Sequence, residues 1–181
     1  MTEQHKTRTV YVIVLTVVVL WNMAIVAAPW SWAQGHPVVA SGLYFMFSPV
    51  CHQRADRSFF AFGHHLAVCN RCTGIYLGAL AGLLLIPLLS FALKGETGGL
   101  LRVRIQNRAL LLLALALMAA DVGGELIGIR NSTPMSRFLT GAFCGIVAPF
   151  YLLPAIFEIF IRVSRESKPT VATDASGIGI L

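Results

Sequence analysis

Four long apolar segments limit the fold of this chain more than any other feature of its sequence. A helix needs about 20 predominantly apolar residues to cross the hydrocarbon core of a bilayer. Such a helix satisfies its own backbone hydrogen bonds in lipid, which an irregular segment does not. The sequence therefore predicts an all-α membrane protein with four transmembrane helices. The four segments run from about Val10 to Ala28, Gly74 to Leu93, Ala109 to Ile129 and Phe138 to Ile161.

The composition agrees with a membrane class. Charged residues make up only 12% of the 181 residues, about half the share that is usual in soluble proteins. The length fits one domain. We predict a single transmembrane domain over residues 1–165 and a disordered cytoplasmic tail over residues 166–181. The first apolar segment is longer than the core of a cleaved signal peptide, about 7–15 residues, so we interpret it as an anchor.

Two shorter segments lie between the first and second spans. The stretch Val38–Val50 is apolar but too short to cross, which predicts a re-entrant or interfacial helix. The stretch Ser58–Val68 carries Phe59, Phe60 and Phe62, which is typical of an interfacial segment packed over helix ends.

The basic residues are divided unequally between the two sides that four spans define. Nine of the 14 lie on the side of the termini and five on the other side. The positive-inside rule then places both termini in the cytoplasm of a cell, with the protein in the inner membrane. The inner basic residues suit anionic lipids, so the high pI requires no nucleic acid as a partner. The five outer residues are all arginines, which favour fixed contacts to carboxylate or phosphate; they are Arg54, Arg57, Arg71, Arg130 and Arg137.

A cluster of cysteines on the predicted outer side carries the strongest chemical signal. Cys51 and His52 are adjacent, and Cys69 and Cys72 follow as a Cys-x-x-Cys pair at the start of the second span. Together they form a Cys3His set, which is common in zinc sites. Neighbouring side chains diverge, so a site of the three cysteines with a bound water is an alternative, as is one that uses His64 or His65.

The same cysteines allow a redox hypothesis. Thiols tend to pair in an oxidising compartment. A cysteine at a helix N-terminus has a lowered pKa, as in disulfide oxidoreductases. In this alternative, Cys69 and Cys72 form and break a disulfide, Cys51 resolves the intermediate, and no metal is bound. Thr73 rather than histidine follows Cys72, which excludes a c-type haem attachment motif.

Two carboxylates in the third span form a second polar group. Asp121 and Glu125 are four residues apart and share one helix face. Carboxylates within a span are costly and usually mark a functional site. We predict that they are catalytic, with a general base near a zinc-bound water, and that the five outer arginines bind an anionic substrate. The alternative is a structural salt bridge between Asp121 and Arg71 or Arg137.

The motif Cys51-His52-Gln53-Arg54, the motif Cys69-x-Arg71-Cys72-x-Gly74-Ile75-Tyr76 and the polar residues from Asp121 to Arg137 form one long pattern. This pattern resembles the signature of a family of small predicted prokaryotic membrane proteins of unknown function. The resemblance covers about residues 45–150 and implies a multi-span membrane protein, but it implies no activity. The chain departs from the pattern at Pro134, where asparagine is expected. The matching residues include Cys51-His52-Gln53-Arg54, Cys69-x-Arg71-Cys72-x-Gly74-Ile75-Tyr76, Asp121, Gly124, Gly128-x-Arg130-x-Ser132-Thr133 and Arg137.

Three functions fit these patterns. The first is a membrane metalloprotein that hydrolyses or transfers the anionic head group of a lipid or lipid-linked substrate. The second is a membrane thiol–disulfide oxidoreductase. The third is a transporter or binding protein for an anion or a metal ion. The expected partners are membrane lipids and an anionic small molecule or head group.

Overall fold

The computed structural model describes residues 3–92, 108–129 and 132–166 of the chain. Within these ranges its regular structure is helical apart from one short hairpin. Four of the helices are long and apolar enough to cross a membrane, so the predicted class, four long helices and one short one, is confirmed. The helices are α1 (Glu3–Ala33), α2 (Pro37–Phe47), α3 (Asn70–Ala92), α4 (Arg108–Leu126) and α5 (Pro134–Glu166), and a 3-10 turn covers Ala55–Arg57.

Helix α3 begins at Asn70, four residues before the apolar segment from which it was predicted. Hydropathy detects only the apolar part of the helix, whereas the polar residues before Gly74 also adopt helical geometry. This difference places Cys72 inside the first turn and Cys69 directly before the helix.

The α3–α5 interface is the most extensive contact between helices in the described ranges. Glycines spaced by four on each helix lie against the backbone of the other helix, so the two backbones lie very close together. A Cβ atom at Gly78 would lie 3.0 Å from the carbonyl carbon of Ala142, and one at Gly141 would lie 3.1 Å from that of Arg71. The small-residue pattern of α3 therefore serves packing within the chain.

Helix α1 is attached to α3 by side-chain hydrogen bonds. The Tyr11 hydroxyl donates to the carbonyl of Leu83 at 2.9 Å, and the Asn22 amide donates to that of Tyr76 at 3.2 Å. Polar side chains that bond to a neighbouring helix fix its register in an apolar environment.

Helix α2 folds back along α1 after a three-residue turn. The ring of Phe47, at the end of α2, packs edge-on against Trp21 with 4.9 Å between ring centroids. Phe47 and Ile25 then form a buried cluster with Cys51, Ala67 and Val68. The predicted short apolar helix is thus present, and Cys51 follows shortly after its last residue.

The phenylalanine-rich stretch forms a two-stranded hairpin, β1 (Phe60–Ala61) and β2 (His64–His65), that was not predicted. The turn residues Phe62 and Gly63 have φ angles of 54° and 81°. Positive φ at both central residues is the geometry of a type I′ turn, which fits a right-twisted hairpin. Phenylalanine is not a usual residue for this position, so the sequence gives little sign of the turn.

Helix α4 packs along one side against α5. In the described ranges α3 and α4 share no packing interface of comparable extent, although α3 also lies on α5. Ile75 of α3 and Met118 of α4 line the same cavity, so a gap separates the two helices there.

The predicted cytoplasmic tail and the basic loop before α4 lie mostly outside the described residues, as does Arg130. The division into one domain and a tail stays a prediction.

Candidate metal centre and arginine cavity

Three cysteine sulfurs lie close together at the N-terminal end of α3. The Sγ atoms of Cys51, Cys69 and Cys72 all lie within 4.8 Å of one another, and none of the three forms a disulfide. Cys51 is buried and the other two are partly buried. The predicted grouping of these three cysteines is therefore present, and the group can hold a metal ion.

The local backbone presents these sulfurs to one another. Cys69 precedes α3, and its carbonyl accepts the N–H of Thr73 at 2.9 Å. The N–H of Cys69 donates to the sulfur of Cys51 at 3.1 Å. A sulfur at a helix N-terminus that accepts N–H bonds is stabilised as thiolate.

Gln53 fixes the loop that carries Cys51. Its side-chain amide donates to the carbonyls of Tyr44 at 2.6 Å and Ala67 at 2.9 Å. Gln53 itself has a φ of 52°, a conformation that costs free energy for a residue with a side chain. These two hydrogen bonds hold the loop between α2 and the segment before α3.

The electrostatics of the group favour an anionic sulfur. Hydrogen bonds with the thiols of Cys51 and Cys72, and then with the backbone N–H groups of Cys72 and Arg71, hold the pKa of the Cys69 thiol far below its usual value. Burial acts in the opposite direction. Since the thiolate is the form that binds metal ions and attacks disulfides, both chemical hypotheses gain from this geometry.

The sulfur positions fit a zinc-type ion. Three thiolates about 2.3 Å from a tetrahedral zinc ion would lie roughly 3.8 Å apart. Starting from separations of at most 4.8 Å, each sulfur would need to move by no more than about 0.6 Å. Soft thiolate ligands also bind zinc in preference to magnesium or calcium.

The histidines do not join the sulfur group. His52 is exposed, and the group of potential ligands found among the described residues contains the three cysteines alone. His65 lies in the hairpin with its Nδ1 3.0 Å from the carbonyl of Leu66, and His64 lies beside Trp32. The alternative of three cysteines is thus the arrangement that the structure presents.

Glu125 is the centre of an ion-pair network next to the cysteines. Its Oε1 accepts from Arg57 at 2.6 Å and from Arg137 at 3.0 Å, and its Oε2 lies 3.5 Å from Nη2 of Arg71. The carboxylate is only 14% exposed. Charge-assisted bonds of this kind are strong in a partly buried position and orient all three guanidinium groups.

Asp121 lies behind this network and is 3% exposed. Its Oδ2 accepts from Nη2 of Arg71 at 2.5 Å, and its Oδ1 accepts from the hydroxyl of Ser132 at 3.0 Å. The salt bridge to Arg71, predicted as the alternative to a catalytic role, is present. The role of Asp121 as a general base stays a prediction.

The cysteines and arginines line one cavity of about 570 Å³. Two residues of the network also contain buried donors without partners, because the Nε atoms of Arg71 and Arg137 have no hydrogen-bond acceptor among the described residues. Arg54 lies at the exposed edge and pairs with Asp56 at 3.0 Å. The polar lining consists of Cys51, His52, Arg54, Arg57, Cys69, Arg71, Cys72, Glu125 and Arg137.

The cavity also has an apolar wall that the sequence analysis missed. Ile75 contributes from α3, and Met118 and Val122 contribute from α4. The sequence did contain an indication of this wall, because Met118, Val122 and Glu125 follow one another at helical spacing and therefore share one face of α4. Hydropathy alone does not distinguish such residues from the surrounding leucines.

Four long apolar helices, a polar site at one end of the bundle and a group of three thiols define a multi-pass membrane protein with a candidate metal centre. Residues 51–151 match the family model described as predicted membrane protein DUF2085. The match covers more than half of the chain, so the protein belongs to this family, and the resemblance read from its motifs is confirmed.

Two archaeal relatives support this membership. An uncharacterized protein of Methanocaldococcus jannaschii is 38% identical over 157 residues, which cover 84% of this chain and 96% of the relative. An uncharacterized protein of Methanothermobacter thermautotrophicus is 35% identical over 105 residues, which cover 55% of this chain and 81% of the relative. No solved structure matches the chain.

Proposed function

We propose that this protein is a membrane metalloenzyme that binds a zinc-type ion through Cys51, Cys69 and Cys72 and hydrolyses or transfers an anionic head group. The observation that supports it is the shared cavity, which is lined by all three cysteines and by four arginines. A metal ion held by thiolates can polarise an oxygen of the substrate. Fixed arginines beside it can stabilise the negative charge that develops in the reaction.

The arginines have the role of binding the substrate. Arg57 is about two-fifths exposed and Arg137 is more buried, and both are oriented by Glu125. A guanidinium that is fixed before the substrate arrives loses little conformational entropy on binding. Glu125 and Asp121 thus act as positioning residues for the arginines.

A zinc-type ion would supply Lewis-acid polarisation of an oxygen in this cavity. The distribution of basic residues supports an orientation in which both termini are cytoplasmic and the cavity faces the periplasm or cell exterior. In this orientation α2 is a re-entrant helix, because it returns along α1 to the level of Trp21 and exposes Val38, Val39 and Phe45 on its outer side.

The metal assignment is tested on protein purified without reductant. Elemental analysis should find about one zinc ion per chain, together with four reduced thiols. Cys72→Ser should lose the zinc, while Cys144→Ser should keep it, because Cys144 is a free cysteine of α5 outside the sulfur group. A disulfide among Cys51, Cys69 and Cys72 in protein without zinc would refute the assignment.

Thiol–disulfide exchange is a second candidate, favoured by the lowered pKa of Cys69. The Cys69 thiolate would attack a substrate disulfide and release one substrate thiolate. Cys72 or Cys51 would then attack the mixed disulfide, leaving an oxidised pair in the protein and a fully reduced substrate. Wild-type protein that keeps its zinc and does not reduce a disulfide probe such as insulin would exclude it. Transport of an anion or metal ion stays a prediction.

A further inference from the structure

The gap between α3 and α4 extends the polar cavity into the membrane-spanning part of the protein. The two helices are joined at the polar end by the ion pair of Arg71 and Asp121. Farther from that end, Ile75 of α3 lies on one wall, and Met118 and Val122 of α4 lie on the other. The cavity therefore has a charged end and an apolar end.

The apolar end lies well within the span. Met118 lies eight residues, or about 12 Å, from the end of α4 at Leu126, and one helical turn beyond Asp121. The whole of this stretch falls within the candidate span Ala109–Leu126. A water-soluble anion would bind at the arginines and would leave the apolar part of the cavity unoccupied.

The charged end is suited to an oxygen-rich head group. Four arginines line it, and Glu125 is the one acidic side chain among the lining residues that the structure describes. The Nε atoms of Arg71 and Arg137 are buried donors without an acceptor in the described ranges. Phosphate oxygens are preferred partners of guanidinium groups.

We infer that the cavity admits one hydrocarbon chain of a phosphate-bearing lipid, which enters sideways from the bilayer between α3 and α4. The chain lies against Ile75, Met118 and Val122, and the phosphate lies against the arginines. This inference rests on the proposed function, to which it adds the route of entry and the residues that select an amphiphile.

The energetics assign different roles to the two ends. A chain that arrives from the bilayer has never been in water, so its burial in the gap gains little hydrophobic free energy. The arginines then supply the larger part of the affinity. The apolar walls align the chain so that the phosphate meets the cysteine group, and this alignment makes the lipid bind more tightly than a free phosphate ion. A free phosphate ion would also bind to the arginines, but it has no hydrocarbon chain that the apolar walls could align.

The test uses the full chain as purified in detergent, dioleoyl phosphatidic acid as the probe, and native mass spectrometry to count retained lipid. We expect about one lipid per wild-type chain. Met118→Trp should reduce retention at least tenfold, because an indole fills the gap. Leu117→Trp is the matched control: Leu117 is the adjacent residue, is 45% exposed and is not part of the cavity lining, so this variant should retain the lipid.

A second variant, Ile75→Phe, narrows the same gap from the other wall and replaces Met118→Trp if that protein does not fold. Equal retention by the gap-filling variants and by Leu117→Trp would overturn the inference. So would displacement of the lipid by inorganic phosphate at equal concentration, since the anion would then bind from the aqueous side. Zinc content is measured on the same samples: its absence from wild-type protein would refute the proposed metal site, whereas lipid retention alone decides the route.

Discussion

Replacing Gly78 by alanine should separate α3 from α5 and destabilise the protein. A Cβ at this position would lie 3.0 Å from the carbonyl carbon of Ala142 and still closer to its oxygen, whereas ordinary contacts are 3.4–4 Å. The atoms that the new Cβ would meet are backbone atoms of Ala142, which cannot rotate away as a side chain can. The helices must therefore move apart by roughly an ångström. Overpacking of this kind costs about 1–3 kcal/mol, and a gap of about 0.5–1 Å forfeits a quarter to a half of each neighbouring dispersion contact.

The assay is reversible unfolding in mixed micelles with increasing sodium dodecyl sulfate, followed by circular dichroism. Gly123→Ala is the matched control, because Gly123 lies in α4 and a Cβ there meets no atom within 4 Å. Gly78→Ala should be less stable than this control by about 1–3 kcal/mol, which corresponds to about 5- to 150-fold in the unfolding equilibrium. Equal stability of the two variants would show that the close approach of α3 and α5 is not needed.

Two further predictions concern the polar site. Asp121→Asn should lower stability towards the lower end of about 3–5 kcal/mol, because Arg71 loses its nearest buried partner and keeps only the longer contact to Glu125. Asp56→Asn, which breaks an exposed pair with Arg54, should leave the melting temperature nearly unchanged, and a similar loss in both variants would contradict the reasoning. Removal of zinc by a chelator should lower the melting temperature and make three additional thiols reactive towards a thiol reagent, whereas unchanged reactivity would argue against ligation by the cysteines.

The positions of the spanning helices could be predicted because lipid imposes one requirement along the whole chain. The residues that satisfy it are contiguous in sequence, as between Ala109 and Ile129, where the structure has α4. The short apolar helix before Cys51 was predicted for the same reason. The hairpin was not, because its turn depends on positive φ angles at Phe62 and Gly63, and only the glycine is a usual residue for that conformation.

The candidate site was predictable in chemistry and less so in geometry. The grouping of three cysteines and the pairing of Asp121 with Arg71 follow from residue types that need partners in an apolar environment. The exclusion of His52 from the sulfur group depends on the direction of one side chain next to Cys51. The helical spacing of Met118, Val122 and Glu125 places these residues on one face, but the cavity that they line depends on how two helices pack on a third.

The first turn of α3 has a thermodynamic consequence for the whole bundle. Arg71 lies between two sulfur-bearing residues of the candidate metal centre and also holds the carboxylates of α4. A ligand that changes the distance between α3 and α4 therefore acts on the same turn that positions Cys69 and Cys72. Binding at two coupled positions is reciprocal. Under the proposed function, metal binding would therefore change the affinity for the lipid by the same factor by which lipid binding changes the affinity for the metal.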